Sequence, residues 1–184
     1  MATIKILGIA GSLRQGSFNR LALKAAQGLA PSGATLEIVD LPDLPGFNQD
    51  REKSPPPAVT ELKAKIRGAD AILLVTPEYN YSVPGVLKNA IDWAARPYGD
   101  SAWKGKPVAI MGASTGVLGT ARAQYHLRQS LVFLDMPTVN LPEVMIASAA
   151  TKFDANGNLT DETAKQLIGK LLVALCDLTR RSAS

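Results

Sequence analysis

The fold is decided by the stretch IKILGIAGSLRQGS at residues 4–17. Residues 4–9 are short, apolar and β-branched, which is typical of a buried parallel strand. A loop rich in glycine and serine follows at residues 11–17, and apolar residues then recur at helical spacing from Leu21 to Leu29. The order strand, loop, helix indicates the first unit of a parallel sheet that is covered by helices.

The same alternation continues along the rest of the chain. Further strands are predicted at residues 35–39, 71–75, 108–111 and, as a short fifth strand, 138–141. Further helices are predicted at residues 59–67, from Pro84 as the first helical residue, at 120–133 and from 160 onward. Residues 41–57, rich in Pro, Asp and Gly, predict a long surface loop. The pattern predicts one α/β domain spanning residues 1–184, with about five parallel strands in a flavodoxin-like order and helices on both faces.

Composition narrows the classes of function. The chain has 184 residues, a formal net charge of +4, one Cys and one His. A disulfide framework, a thiolate zinc cluster and any mechanism that needs two imidazoles are therefore excluded, and we expect no metal site. The N-terminus predicts a strand rather than a signal peptide, and no apolar stretch approaches the ~18 residues of a membrane span. We expect a cytoplasmic protein that binds neither membrane nor nucleic acid.

Ligands of such sheets bind beyond the carboxyl ends of the strands, which points to the loops after residues 10, 76 and 111. The first of these loops suits an anion, because backbone N–H groups and a helix N-terminus converge there. Gly11 and Gly16 allow close approach of the backbone. The polar side chains available to the anion are Ser12, Arg14, Ser17 and Asn19. The alternative is a tight strand-to-helix turn in which Ser17 is the N-cap.

Two better-known phosphate loops do not fit this segment. Gly11 and Gly16 have the P-loop spacing, but Ser17-Phe18 replaces the required Lys-Ser/Thr, which argues against nucleotide hydrolysis. The G-x-G-x-x-G pattern of dinucleotide-binding folds is not supplied by residues 8–11. Hydroxyl groups, one amide and one guanidinium fit a terminal monophosphate better than a pyrophosphate.

The second loop, TPEYNYSVP at residues 76–84, contains two tyrosines between stiffening prolines. Backbone amides on such a loop can bind the edge of a flat heterocycle while the tyrosine faces cover it. An ordinary loop with partly buried tyrosines is the alternative, and this loop taken alone does not decide between the two.

Three motifs together resemble the NADPH-dependent FMN reductase family, and more narrowly its bacterial quinone and chromate reductase branch. They are GIAGSLR at residues 8–14 with Ser17 and Asn19, PEYN at 77–80, and GVLKNAIDW at 85–93. The resemblance covers nearly the whole chain and implies non-covalently bound FMN in a homodimer or homotetramer. The FMN contacts that it implies are Gly11, Ser12, Arg14, Ser17 and Asn19 around the phosphate, Pro77, Glu78, Tyr79 and Asn80 along the isoalloxazine, and Ser114, Thr115 and Gly116 from the third loop.

The third loop also matches the G-x-S-x-G elbow of hydrolases at residues 112–116. The hydrolase mechanism needs a serine, then an acid and then a His in chain order. No His follows Asp135, so a catalytic triad in this order is excluded. His126 is expected on a helix surface or interface, and Cys176 in the core. The sequence leaves open whether Arg122, Tyr125 and Glu143 make subunit contacts.

The scarcity of catalytic side chains agrees with a flavin that carries the chemistry. We expect NADPH or NADH to pass hydride to N5 and a quinone, chromate or similar acceptor to take the same face in a ping-pong cycle, with no catalytic side chain. Tyr81 and Ser82 are expected to border the substrate. The alternative is a flavodoxin-like electron carrier or redox sensor that does not oxidise nicotinamides.

Overall fold

The computed structural model describes residues 2–41 and 43–182, so positions 1, 42, 183 and 184 of the predicted domain lie outside the described residues. Strands and helices alternate along this part of the chain. They are β1 (Ile4–Ala10), α1 (Phe18–Gly28), β2 (Ala34–Val39), α2 (Pro57–Gly68), β3 (Ala71–Val75), α3 (Gly85–Ala94), β4 (Val108–Ala113), α4 (Ala121–Phe133), β5 (Val144–Ile146) and α5 (Glu162–Ser182).

All five strands of the sheet run parallel, in the order β2-β1-β3-β4-β5. This order confirms the predicted flavodoxin-like fold. The chain moves outward to β2 on one side of β1 and outward to β4 and β5 on the other side of β3. The loops after β1 and β3 therefore separate at the centre of the sheet, which is the switch point where ligands bind in such folds.

The helices bury both faces of the sheet, which explains why β3 and β4 are buried along their whole length. On one face α1 and α5 contribute Leu23, Ile168 and Leu171 to a core cluster. On the other face α2, α3 and α4 contribute Ile66, Leu87 and Leu127. Burial on two sides requires nearly continuous apolar strands, as the sequence shows.

The predicted fifth strand at residues 138–141 is wrong. Thr138 forms only an isolated bridge to Val108, and the fifth strand is Val144–Ile146, paired with Met111–Ala113. Prolines on both sides of the predicted segment, at positions 137 and 142, lack the N–H groups that a longer ladder would need.

Smaller differences concern loop and helix boundaries. Pro84 is the N-cap of α3 rather than its first residue, and Thr120 is the N-cap of α4. The predicted surface loop at residues 41–57 contains a 3₁₀ turn at Gln49–Arg51, and its position 42 is not among the described residues. No helix in the described part of the chain is both long and apolar enough to cross a bilayer.

Candidate functional site

Three loops meet beyond the carboxyl ends of β1, β3 and β4. We call residues 11–17 the first loop, residues 76–84 the second and residues 114–120 the third. The Ser12 hydroxyl lies 3.5 Å from the Tyr79 hydroxyl, which brings the first and second loops together. The Asn19 side chain bonds the backbone of Ala113, immediately before the third loop. The structure thus gathers the three predicted segments at one edge of the sheet.

The first loop is a closed turn that leads into α1. The Gly11 N–H donates to the Val75 carbonyl at 2.8 Å, and the Ser17 N–H donates to the Arg14 carbonyl at 3.1 Å. The Ser17 hydroxyl accepts the Asn19 N–H at 3.2 Å and caps the helix. The capping role considered for Ser17 is therefore real, and it places the positive end of α1 beside the loop.

Between Gly11 and Ser17, the backbone N–H groups of the first loop have no acceptor among the described residues. Within residues 2–41 and 43–182, the N–H groups of positions 12–16 form no hydrogen bond, although Ser12 is only 4% exposed. Arg14 is exposed and makes no ion pair within the same residues. Residues 13–16 are exposed, so their N–H groups are open to solvent or a ligand, whereas an unpaired N–H in a buried residue such as Ser12 is rare in folded proteins. Consecutive N–H groups, a helix N-terminus and a free guanidinium are the donor set that a phosphate monoester requires, so the loop fits the phosphate of FMN.

Asn19 links the start of α1 to β4 through its side-chain amide. It is 3% exposed, its Nδ2 donates to the Ala113 carbonyl at 2.8 Å, and its Oδ1 accepts the Ala113 N–H at 2.8 Å. Both polar atoms of the amide are therefore hydrogen-bonded to one peptide group on β4.

The second loop contains a tight two-residue turn. Tyr79 and Ser82 exchange backbone hydrogen bonds of 3.1 and 3.0 Å, and the residues between them, Asn80 and Tyr81, both have positive φ (50° and 67°). Positive φ at both central positions is the pattern of a type I′ turn and is strained for tyrosine. The Arg122 guanidinium covers the Tyr81 ring, 3.5 Å from its centroid, and helps to hold this conformation.

Glu78 fixes the second loop to the start of α4. Its carboxylate is 7% exposed, forms a salt bridge with Arg122, and accepts the N–H groups of Arg122 at 3.1 Å and Ala123 at 3.2 Å. Burial acts to raise the pKa of Glu78, but the hydrogen bonds from Arg122 and Ala123 and the Arg122 charge together hold the pKa below its ordinary value. Thr120 provides no side-chain cap, so the carboxylate of Glu78 caps α4 instead.

The third loop is tied to β5 and to its own backbone. Ser114 donates its N–H to the Ile146 carbonyl at 3.0 Å, and its hydroxyl accepts the Gly116 N–H at 3.1 Å. Thr115 and Gly116 are exposed beside it. Ser114 is therefore a turn residue here, which agrees with the sequence argument against a hydrolase.

Two residues border the site that the sequence did not assign to it. Arg122 contacts Glu78 and Tyr81, and His126 Nδ1 lies 3.0 Å from the Ser82 hydroxyl. The two are four residues apart on α4 and so share a face. Their contacts with the second loop join residues 41 to 44 positions apart, so no local pattern in the sequence reveals them. Tyr125 donates to Glu143 within the chain at 2.8 Å.

Known proteins are similar over nearly the whole chain. The sequence profile of the family described as NADPH-dependent FMN reductase matches residues 4–151. An NAD(P)H-dependent FMN reductase of Pseudomonas aeruginosa is 56% identical over 179 residues, covering 97% of this chain and 96% of that protein. A quinone reductase of Pseudomonas putida is 51% identical over 156 residues, covering 84% of each.

A solved structure agrees with these relatives. The flavoenzyme NAD(P)H:(acceptor) oxidoreductase of Paracoccus denitrificans superposes with a TM-score of 0.89 at 38% identity, covering 98% of this chain and 99% of that one.

Proposed function

The chain belongs to the NADPH-dependent FMN reductase family, and from that premise we propose that it is an FMN-dependent NAD(P)H oxidoreductase that reduces quinones. Family membership implies FMN as the bound cofactor and NAD(P)H as the electron donor. The observation that carries the proposal is the first loop, whose backbone N–H groups at positions 12–16 lack an acceptor in the described residues beside the capped N-terminus of α1. The relatives named as quinone reductases support quinones as acceptors.

The protein holds the cofactor at both ends in this proposal. The first loop, with Ser12, Arg14 and Ser17, binds the phosphate through backbone N–H groups, hydroxyls and one guanidinium. The backbone of Pro77-Glu78-Tyr79-Asn80 would hold the isoalloxazine, and Ser114-Thr115-Gly116 would complete the site from the third loop. When bound, FMN supplies the two-electron redox chemistry, so the side chains need only bind and orient the reactants.

The substrate side is formed by Tyr81 and Ser82. The Tyr81 ring is largely exposed, and its backbone is fixed by the turn and by Arg122. An exposed ring in a rigid loop can stack on a nicotinamide or a quinone with little loss of conformational entropy. We propose that donor and acceptor bind in turn at this one surface, which gives ping-pong kinetics, and that chromate is a further acceptor supported by the net charge of +4.

We also propose that the protein is a cytoplasmic homodimer or homotetramer. The support for assembly is an apolar surface at the end of α4, where the neighbouring side chains of Val132 and Phe133 are 79% and 76% exposed. Adjacent exposed apolar side chains of this size mark interaction surfaces more often than isolated ones do. A second copy of the chain is the occupant we expect. The buried unpaired thiol of Cys176 agrees with a reducing compartment.

Anaerobic mixing of the flavin-loaded protein with NADPH and with NADH tests the function. We expect rapid loss of the visible flavin absorbance, followed by its return when a benzoquinone is added. A one-electron carrier, the alternative, would keep its absorbance with either nicotinamide, and that result would refute the proposal. Initial rates over a matrix of NADPH and quinone concentrations test the mechanism, since a ping-pong cycle gives parallel double-reciprocal lines, and chromate can replace the quinone in the same assay.

A further inference from the structure

Asn19 links two parts of the site through both polar atoms of its side chain. Its amide makes both available hydrogen bonds with a single peptide group, that of Ala113, 94 residues away in the chain. Both residues are 3% exposed. A planar amide paired with a planar peptide reproduces the pairing of neighbouring strands.

The position of this pair explains why β4 needs it. The Met111 carbonyl accepts the Thr76 N–H at 2.9 Å, so Met111 faces β3. Ala113 is two residues further along and faces the same side, because backbone groups alternate along a strand. Opposite Ala113 there is no β3 residue, because β3 ends at Val75 and the chain has turned into the second loop. The amide of Asn19 occupies the place of the missing strand and satisfies the last peptide group of β4.

The link sets the first loop relative to the third. Asn19 is the second residue of α1, and its N–H is bonded to the Ser17 hydroxyl at the end of the first loop. Ala113 immediately precedes Ser114, where the third loop begins. The phosphate end of the site and the opposite wall of the site are therefore held together by one side chain.

We infer that Asn19 is a positioning residue that aligns the first and third loops, and not a ligand of the FMN phosphate as the resemblance implied. The inference rests on the proposed function only in taking flavin as the ligand of this site. One hydrogen of Nδ2 is left after the bond to Ala113, whereas the run of N–H groups at positions 12–16 has no acceptor among the described residues. Loss of the link lowers the fraction of chains with aligned loops, and it therefore lowers the affinity for every flavin by the same factor.

Riboflavin separates the two roles, because it lacks the phosphate of FMN. The full chain, freed of flavin by dialysis, is titrated with FMN and with riboflavin, and flavin fluorescence reports binding. We expect Asn19→Ala to raise both dissociation constants by about tenfold, the effect of an unmade buried hydrogen bond, and to leave their ratio unchanged. Asn19→Asp keeps an oxygen that accepts the Ala113 N–H and loses the donor. Its dissociation constants for both flavins should therefore lie between those of Asn19→Ala and the unmodified protein.

The matched control is Arg14→Ala, on an exposed side chain of the first loop. It should weaken FMN binding and leave riboflavin binding unchanged, so that the ratio of the two dissociation constants shifts. If Asn19→Ala shifts the ratio as Arg14→Ala does, Asn19 is a phosphate ligand and the inference is overturned. An unmodified chain that binds neither flavin would contradict the proposed function instead.

Amide hydrogen exchange tests the link without any flavin. The Ala113 N–H should be protected in the flavin-free chain, should lose most of that protection in Asn19→Ala, and should retain it in Arg14→Ala. Full protection of Ala113 in Asn19→Ala would overturn the inference even if the variant bound flavin weakly.

Discussion

Replacing Glu78 by glutamine should loosen the second loop while keeping the size of the side chain. The carboxylate accepts two backbone N–H groups at the start of α4, those of Arg122 and Ala123. Glutamine offers one acceptor oxygen and turns an N–H₂ group toward donors that need an acceptor. Loss of a cap costs about 0.5–2 kcal/mol. Because Arg122 is 37% exposed, we assign the salt bridge no further contribution, since water screens it.

We therefore expect Glu78→Gln to lower the free energy of unfolding by about 1–2 kcal/mol at neutral pH. For a chain of this length each kcal/mol corresponds to roughly 2–4 °C in Tm, so the expected fall is about 2–8 °C. Thermal unfolding followed by circular dichroism measures it. The control is Glu61→Gln, on an exposed side chain of α2, which should stay within about 0.5 kcal/mol of the unmodified protein.

The effect has a defined pH dependence. The pKa of Glu78 in the folded protein is lowered from its ordinary 4.5, so the carboxylate stabilises the fold at all pH values above 4.5. That contribution is lost as the pH falls through the lowered folded pKa. The difference between Glu78→Gln and the unmodified protein should therefore be constant near neutral pH and shrink in acid below 4.5. A difference that is the same in acid and at neutral pH, or no larger than that of Glu61→Gln, would refute the capping role.

Three further results are expected. Gly112→Ala should lower the free energy of unfolding in urea by about 2–3 kcal/mol, because a Cβ there would lie 2.0 Å from Thr120 Oγ1. Gly169→Ala, whose Cβ would have no atom within 4 Å, should instead stabilise α5 by about 0.5–1 kcal/mol. Equal changes in the free energy of unfolding for the two variants would contradict this. Phe133→Glu should reduce the mass measured by light scattering to that of one chain, whereas an unchanged mass would exclude this surface from assembly. The kcat/KM for NADPH should fall as salt is raised if the positive charge steers the substrate, and insensitivity to ionic strength would reject that role.

The sequence predicted the parts of the fold that depend on local pattern. The apolar run at residues 71–75 could only be a strand buried on both faces, and the alternation of strands and helices led to the sheet order and the edge that binds ligand. The fifth strand was misplaced because Val144–Ile146 is too short for any periodicity, whereas the segment at residues 138–141 looks like a strand but lies between two prolines.

The site was predicted as a set of loops but not as a set of contacts. The helix caps formed by Ser17 on α1 and by Glu78 on α4 differ in whether the sequence alone reveals them. Ser17 lies next to its helix and was recognisable from the sequence, whereas Glu78 lies 44 residues from the N–H groups it accepts. The bond between Asn19 and Ala113 spans 94 residues, and only the folded chain shows that the amide is already used. Local rules describe which groups a residue can offer, and the tertiary structure decides which groups remain for a ligand.

The polar side chains of this edge are bonded mainly to the protein itself. Asn19 pairs with Ala113, Glu78 with α4, and the Ser114 hydroxyl with Gly116. What they leave for a ligand is backbone, chiefly the N–H groups of positions 12–16. Backbone donors held in place by such links are preorganised, so they would bind a phosphate with little loss of conformational entropy. This arrangement suits a cofactor that carries its own chemistry, and it predicts that variants of the linking side chains act through flavin affinity more than through the rate of the loaded enzyme.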